Sequence, residues 1–316
     1  MIVDEQGRHF KSLRLSVTPY CNFACTYCVD SEGNSNHIVG PHLQAKDFAN
    51  LITAINPFLG LYSIRITGGE PTLYKPLPEL IYLLKTLGIP KIHLTTNGAL
   101  LPGLMTDLKT SGLDSINISI DAIEASIFSK ISQRSALSKT LEGIDAAIST
   151  GIFVKLNCTV LKGINDSQIV PLIEFAKEQN VIVRFLELME MGPLFGKNHL
   201  SQFMSAKEIL SKIEQKYELF EIPRRRSATA NYWKTNQGHQ FGIIANYSHP
   251  FCSDCNRLRL DHTGTLYGCL SNPGGTSLPK AIDNGIDLAE VLSTELGKKQ
   301  ATQFQGSPLS MMAIGG

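Results

Sequence analysis

The sequence predicts an α/β fold in which a parallel sheet carries helices outside it, as an open doubly wound sheet or a partial barrel. Three observations carry that expectation. Short runs rich in Val, Ile and Thr recur at 13–17, 62–67, 91–95, 114–120, 153–160 and 183–188. Longer helical stretches separate them at 44–56, 77–87, 102–111, 137–150 and 167–179, with Asp166 or Ser167 placed to cap the last. The chemically notable residues follow the strands. Cysteines follow the first, Gly68-Gly69-Glu70 the second and Thr95-Thr96-Asn97-Gly98 the third, while Ser119 and Asp121 end the fourth. Folds of this kind gather ligand-binding groups at those carboxyl ends.

After Gly192 the alternation fails. A helix at 206–217 leads into an irregular region, a strand at 241–245 and a second cysteine group. The predicted division is residues 1–190 for the core and 191–316 for a C-terminal region that is a second domain or a cap.

The 316 residues are 43% hydrophobic and 18% charged, ordinary values for a soluble globular protein. A net charge of +1 argues against duplex nucleic acid or an anionic membrane as partner. The basic run Arg224-Arg225-Arg226 reads as a solvated loop. No segment resembles a signal peptide or a membrane span, so a cytoplasmic location is expected. Thiols stay reduced there, which turns seven cysteines toward metal ligation or catalysis. Six fall in two tight groups. The seventh, Cys158, reads as a buried small hydrophobe in mid-strand.

Cys21, Cys25 and Cys28 have the spacing C-x3-C-x2-C, so their thiolates can converge on one soft metal centre. Zinc wants four ligands, and the nearest histidine, His37, lies nine residues beyond Cys28. Three thiolates on a four-iron, four-sulfur cluster leave one iron open, as catalysis at a metal requires. The spacing, with Tyr27 before the last cysteine, resembles the signature of the radical S-adenosylmethionine (SAM) superfamily. The resemblance implies that the open iron binds SAM, whose reductive cleavage yields a 5′-deoxyadenosyl radical. Gly68-Gly69-Glu70-Pro71 looks like the GGE segment of that superfamily, which meets the SAM amino group.

Cys252, Cys255 and Cys269 form C-x2-C-x13-C. Zinc has a better claim here, because Cys-x2-Cys is a common half-site and His262 lies in range. Between these cysteines, Arg257 and Arg259 alternate on an extended segment, pointing the same way and suiting phosphate or carboxylate recognition. The stretch FCSDCNRLRLDHTGTLYGCL resembles the C-terminal cluster segment of the molybdenum cofactor biosynthesis protein A family, the GTP 3′,8-cyclases. So do LRLSVTPYCNFACTYC, IRITGGEPTLYKPL, LTTNGALL, SGLDSINISIDA, VKLNCTVLKGIND, RFLELMEMG and the final IGG.

That resemblance implies a partial (β/α)6 TIM-like barrel whose C-terminal extension caps the open side. It implies two 4Fe-4S clusters, one on Cys21, Cys25 and Cys28 and one on Cys252, Cys255 and Cys269. Tyr27, Gly69, Ser119 and Met189 match SAM-contacting positions. Arg14, Arg65, Thr95, Lys155, Arg257, Leu258 and Arg259 match GTP-contacting positions, and Gly315-Gly316 matches a diglycine end that enters the active site. Arg14 and Arg65 each interrupt an apolar strand, where an arginine without an anion is costly.

The implied reaction is that of a lyase, converting GTP to 3′,8-cyclo-7,8-dihydro-GTP on the way to molybdopterin. An electron donor and a downstream pterin-forming enzyme are the implied partners, and homodimerisation is left open. Where the family commonly has a lysine two residues before Arg65, this chain has Ser63. It also departs at Tyr74-Lys75, Pro19 and Val29-Asp30. The alternatives are a paralogue acting on a peptide or another small molecule, and a non-catalytic zinc-binding module.

Overall fold

The computed structural model describes residues 1–29, 42–197 and 201–315; Asp30, His37 and Gly316 lie outside the described residues. Six parallel strands follow one another across the sheet: β1 (Ser12–Ser16), β2 (Ser63–Thr67), β3 (Lys91–Thr96), β4 (Ser115–Ser119), β5 (Phe153–Val160) and β6 (Ile182–Glu187). Between them run α1 (Ala45–Leu59), α2 (Leu77–Thr86), α3 (Met105–Thr110), α4 (Ala125–Ser132), α5 (Leu137–Ser149) and α6 (Ile169–Glu178). The expected strands are present with edges moved by a residue or so.

Three expectations about helices need correction. α3 begins only at Met105, after a 3-10 turn at Leu101–Gly103. α4 was not anticipated. The cap on α6 is neither Asp166 nor Ser167, since those residues sit in a 3-10 turn and α6 starts at Ile169 without a side-chain cap. Asp166 is already engaged, accepting from the Gly163 N–H at 2.8 Å and pairing with Lys212 at 2.8 Å.

The C-terminal region adds α7 (Ala206–Glu214), β7 (Leu219–Ile222), β8 (Asn231–Thr235), β9 (Gln240–Ile244), β10 (Arg257–Leu260), β11 (Thr265–Tyr267), β12 (Thr276–Ser277), α8 (Leu278–Asp283), α9 (Leu288–Gly297) and α10 (Met311–Ile314). β9 pairs parallel with β6, and β10 pairs parallel with β1. Antiparallel β8-β7 and β11-β12 extend the two margins, giving the order β12-β11-β10-β1-β2-β3-β4-β5-β6-β9-β8-β7. The sheet is thus a TIM-like barrel left open, with both margins drawn from the second half of the chain.

Strict alternation sorts the strands into two faces. Leu13, Leu15, Ile64, Ile66, Ile92, Leu94, Ile116, Ile118, Leu156 and Leu258 are fully buried in the core beneath the helices. Each such side chain contributes about 1.5–3 kcal/mol. Cys158 joins them, fully buried, as its place in β5 predicts. The opposite, inner face carries Arg14, Arg65, His93, Asn117, Lys155, Asn157 and Arg184. Register sets these side by side: Arg14 is opposite Arg259 on one side and Arg65 on the other, and Arg65 is opposite His93.

Candidate active site

The loop after β1 is held from two sides. Its Ala24 and Thr26 N–H groups donate to the carbonyls of Ser132 and Ile131 at the end of α4, at 3.1 and 3.0 Å. Gly69 and Glu70 donate their N–H groups to the carbonyls of Thr18 and Tyr20, both at 2.7 Å. That approach needs glycine, because a Cβ on Gly69 would collide with the Tyr20 carbonyl. Glu70 then turns inward. Its carboxylate accepts from the Thr96 hydroxyl at 2.6 Å and the Asn97 N–H at 2.7 Å, tying the end of β2 to the end of β3. Cys28 and Val29 donate to the Cys25 carbonyl, a single helical turn that brings Cys25 and Cys28 together.

Cys21, Cys25 and Cys28 line one cavity of about 180 Å³ with Tyr27, Gly69, Ser119 and Met189, the four residues expected to meet SAM. Thr95 lines it too, as do Met311 and Met312 of α10. The Tyr27 hydroxyl donates to Asp121 Oδ2 at 2.7 Å, and Asp121 Oδ1 accepts from the Thr159 N–H at 2.8 Å. Burial pushes the Cys21 thiol up to about 11 and Cys28 up to about 12, with nearby negative charge adding to it; Cys25 moves the same way. Burial also lifts Asp121 to about 6. Few positive charges reach these thiols.

β1 and β10 run parallel and in register, with Ser12 opposite Arg257. The first cysteine group follows the end of β1, while Cys252 and Cys255 precede the start of β10. The two groups therefore sit at opposite ends of this strand pair, whose length is roughly 16 Å for five residues. Asp254, inside the second group, pairs with Arg224 at 2.7 Å and accepts from the Ser227 N–H at 2.8 Å. Arg224 is thus the brace of this loop, and Arg225 and Arg226 are exposed. Burial would raise Cys255, but Arg257 and Lys299 outweigh it and draw the thiol down to about 6.

Between the two groups lies a band of cations. Burial, then repulsion from Arg259, Arg257 and Arg65, drives the Arg14 guanidinium well below its ordinary value. Burial and Arg184 bring Arg65 down to about 9. Arg257 Nη2 is buried without a hydrogen-bond partner. Arg65, His93, Lys155 and Arg184 line a second cavity of about 420 Å³. Lys155 donates to the Tyr232 hydroxyl at 3.0 Å, and Arg184 grips Asn157 Oδ1 at 2.6 Å. Arg259 Nη1 donates to the carbonyls of Ile314, at 3.2 Å, and Gly315, so the chain's end is fastened to this band.

Of the residues expected to meet GTP, Arg14, Arg65, Lys155, Arg257 and Arg259 share this inner face, and Thr95 bridges to the first cavity. Leu258 does not share it: its side chain is fully buried on the helix side, leaving only its backbone for a ligand. Sequence reading missed Arg184, although it interrupts an apolar strand just as Arg14 does. Tyr232 and His93 carried no such signal. The departures fall in different places. Tyr74 packs edge-on against Phe48 and Lys75 is exposed, both away from the band. Ser63 stands at its margin, donating to Ser12 Oγ at 3.1 Å.

A partial barrel with free thiols at its carboxyl rim and a basic interior defines an enzyme that pairs a thiolate-held cluster with an anionic ligand. Residues 15–176 match the Radical SAM superfamily, and residues 181–305 match Molybdenum Cofactor Synthesis C. The GTP 3′,8-cyclase of Staphylococcus epidermidis strain RP62A is 40% identical over 293 residues, covering 90% of this chain and 86% of that one. The GTP 3′,8-cyclase of Staphylococcus aureus strain Mu3 is 41% identical over 298 residues, covering 92% and 87%. Among solved structures, Streptococcus suis SuiB bound to S-adenosylmethionine shares the fold with a TM-score of 0.66 at 15% identity, covering 91% of this chain and 68% of that one. The chain belongs to the radical SAM superfamily and, within it, to the GTP 3′,8-cyclase family.

Membership brings SAM and an iron–sulfur cluster, and the first cavity fits them. Three free thiols line it together with a glycine turn and three buried carboxylates, Glu70, Asp121 and Glu187. Among the described residues, no three His, Cys, Asp or Glu side chains are gathered as a cage for a single ion. A cluster does not require one, since each thiolate takes a separate iron. Among the described residues, no helix is long and apolar enough to cross a membrane.

Proposed function

We propose that the chain converts GTP to 3′,8-cyclo-7,8-dihydro-GTP, joining ribose C3′ to guanine C8 in molybdenum cofactor synthesis. The observation that supports it most is the band formed by Arg257, Arg259, Arg14, Arg65, Lys155 and Arg184, which lies between the two cysteine groups with an orphaned guanidinium N–H in it. A triphosphate supplies the anionic oxygens that these buried cations lack.

Cys21, Cys25 and Cys28 would hold the cluster that, with SAM bound, supplies a 5′-deoxyadenosyl radical. Tyr27, Gly69, Ser119 and Met189 wall the space where SAM would lie. Arg14, Arg65, Lys155 and Arg184 hold the triphosphate, and Thr95 stands where the ribose passes toward the first cavity. Cys252, Cys255 and Cys269 would hold a second cluster, which would supply orientation of the guanine base by proximity. Arg259 keeps the Ile314-Gly315 end beside that path. Free thiols throughout suit a reducing, cytoplasmic setting. An electron donor is required, and a pterin-forming enzyme consumes the product.

Reconstituted protein incubated with SAM, dithionite and GTP tests this. The expected result is consumption of GTP with a fluorescent pterin after work-up of the product. SAM cleavage without any GTP-derived product would overturn the substrate, while iron near eight per chain would separate two clusters from one.

A further inference from the structure

Lys299 follows the C-terminal end of α9, and its side chain is turned inward. Its ammonium donates to the Arg257 carbonyl at 2.7 Å and to the Gly268 carbonyl at 2.7 Å. Arg257 lies two residues after Cys255, and Gly268 immediately precedes Cys269. A single cation therefore ties together the two arms that carry the second cysteine group. The ammonium also lies over the Phe10 ring, 5.2 Å from its centre. The third arm is braced next door. Arg8 Nη1 donates to the Cys252 carbonyl at 2.6 Å and to the Gln300 carbonyl at 3.2 Å, and its guanidinium is fixed by buried Asp4 at 2.6 Å.

Two neutral carbonyls do not repay the desolvation of an ammonium. Negative charge does, and all three thiols of this group lie within reach of the Lys299 charge. Thiolates on a cluster would each carry the charge that this half-buried cation lacks. We propose that Lys299 is the positioning and counter-charge residue of the second cluster: it holds the Cys255 and Cys269 arms in register and offsets the negative charge of the thiolate-bound cluster. The proposal rests on the two-cluster reading given above.

The test uses full-length chain with Cys21, Cys25 and Cys28 changed to Ala, so that any cluster belongs to the second group. Lys299, Lys299→Arg and Lys299→Met are compared for iron content, loss of iron to a chelator and midpoint potential by electron paramagnetic resonance. The methionine variant is expected to lose iron about 10–100-fold faster and to shift to a more negative potential, because the reduced cluster carries more negative charge. The arginine variant should recover retention and potential together. A cluster in the parent with equal retention and potential in Lys299→Met would overturn the role of Lys299 alone. Equal loss in both variants with unchanged potential would mean a packing role and overturn it as well. A parent that binds no iron would overturn the two-cluster reading, and the proposal with it. Folding is judged by SAM cleavage in chains with the first group intact. Should Lys299→Met fail there, Lys299→Gln, which keeps N–H donors without charge, carries the same comparison.

Discussion

The two cysteine groups are alike in number and opposite in surroundings. Cys21, Cys25 and Cys28 sit with Tyr27, Glu70 and Asp121, and burial and negative neighbours push their thiols up. Cys252 and Cys255 sit with Arg257 and Lys299, which hold Cys255 down near 6 against the same burial, although burial still carries Cys252 up to about 11. One donor set thus meets two fields. The carboxylate-lined site suits a ligand bearing a sulfonium and an amino group. The cation-lined site suits a polyanion. Ligand choice is therefore written in the neighbours of the cysteines and not in their spacing.

Breaking one site alone gives the largest effect. Cys25→Ala should abolish 5′-deoxyadenosine formation and, on the two-cluster proposal, leave iron on the second group, read by product chromatography and iron analysis. Next comes the field between them. Arg65→Leu should raise KM for GTP about 10–150-fold, the loss of one charge-assisted contact, with SAM cleavage in the absence of GTP unchanged. A smaller effect is expected at the tail. Gly315 has φ +75°, and a Cβ there would strike Thr67, so Gly315→Ala should slow turnover about 5–30-fold without loss of iron.

The mildest probe reads the cationic field through pH. Burial, then the Arg65 charge, hold His93 at about 4, against 6.5 for the free imidazole, while its Nδ1 lies 2.7 Å from Ser115 Oγ. Asp114 lifts it in part, and Lys91 and Lys155 press it down further. The unfolded chain therefore binds the extra proton between pH 6.5 and 4. His93 contributes stability above pH 6.5, and that contribution is lost as pH falls toward 4. His93→Gln should flatten the loss in urea melts between pH 6.5 and 5 by up to about 1.4 kcal/mol per pH unit.

Much of the fold was legible because β1 to β6 bury one face under helices, which leaves an apolar alternation in the sequence. Strands β7 and β8 lack it. β8 reads Asn-Tyr-Trp-Lys-Thr and earns its place by pairing with β7 and β9, a non-local fact. In α9 the buried face includes Glu295, which accepts from the Gly268 N–H at 3.1 Å and the Thr276 hydroxyl at 2.6 Å. A charged residue on the inward side masks the helical period. Among site residues, cysteine spacing and interrupting arginines were readable one by one. Their grouping was not, because the placement of β10 beside β1 decides it. Leu258 shows the limit of transfer by position: it matches a contact position, yet its side chain is buried on the helix side, leaving only the backbone.

The inner band also bears on how long the protein lasts. Folding forces Arg257, Arg259, Arg14 and Arg65 together against their mutual repulsion, and a bound triphosphate relieves it. Nucleotide binding and folding are therefore linked, and the melting temperature should climb with the logarithm of GTP concentration. A cell short of GTP would hold this enzyme in its least durable form, so the supply of substrate would set the lifetime of the catalyst as well as its rate.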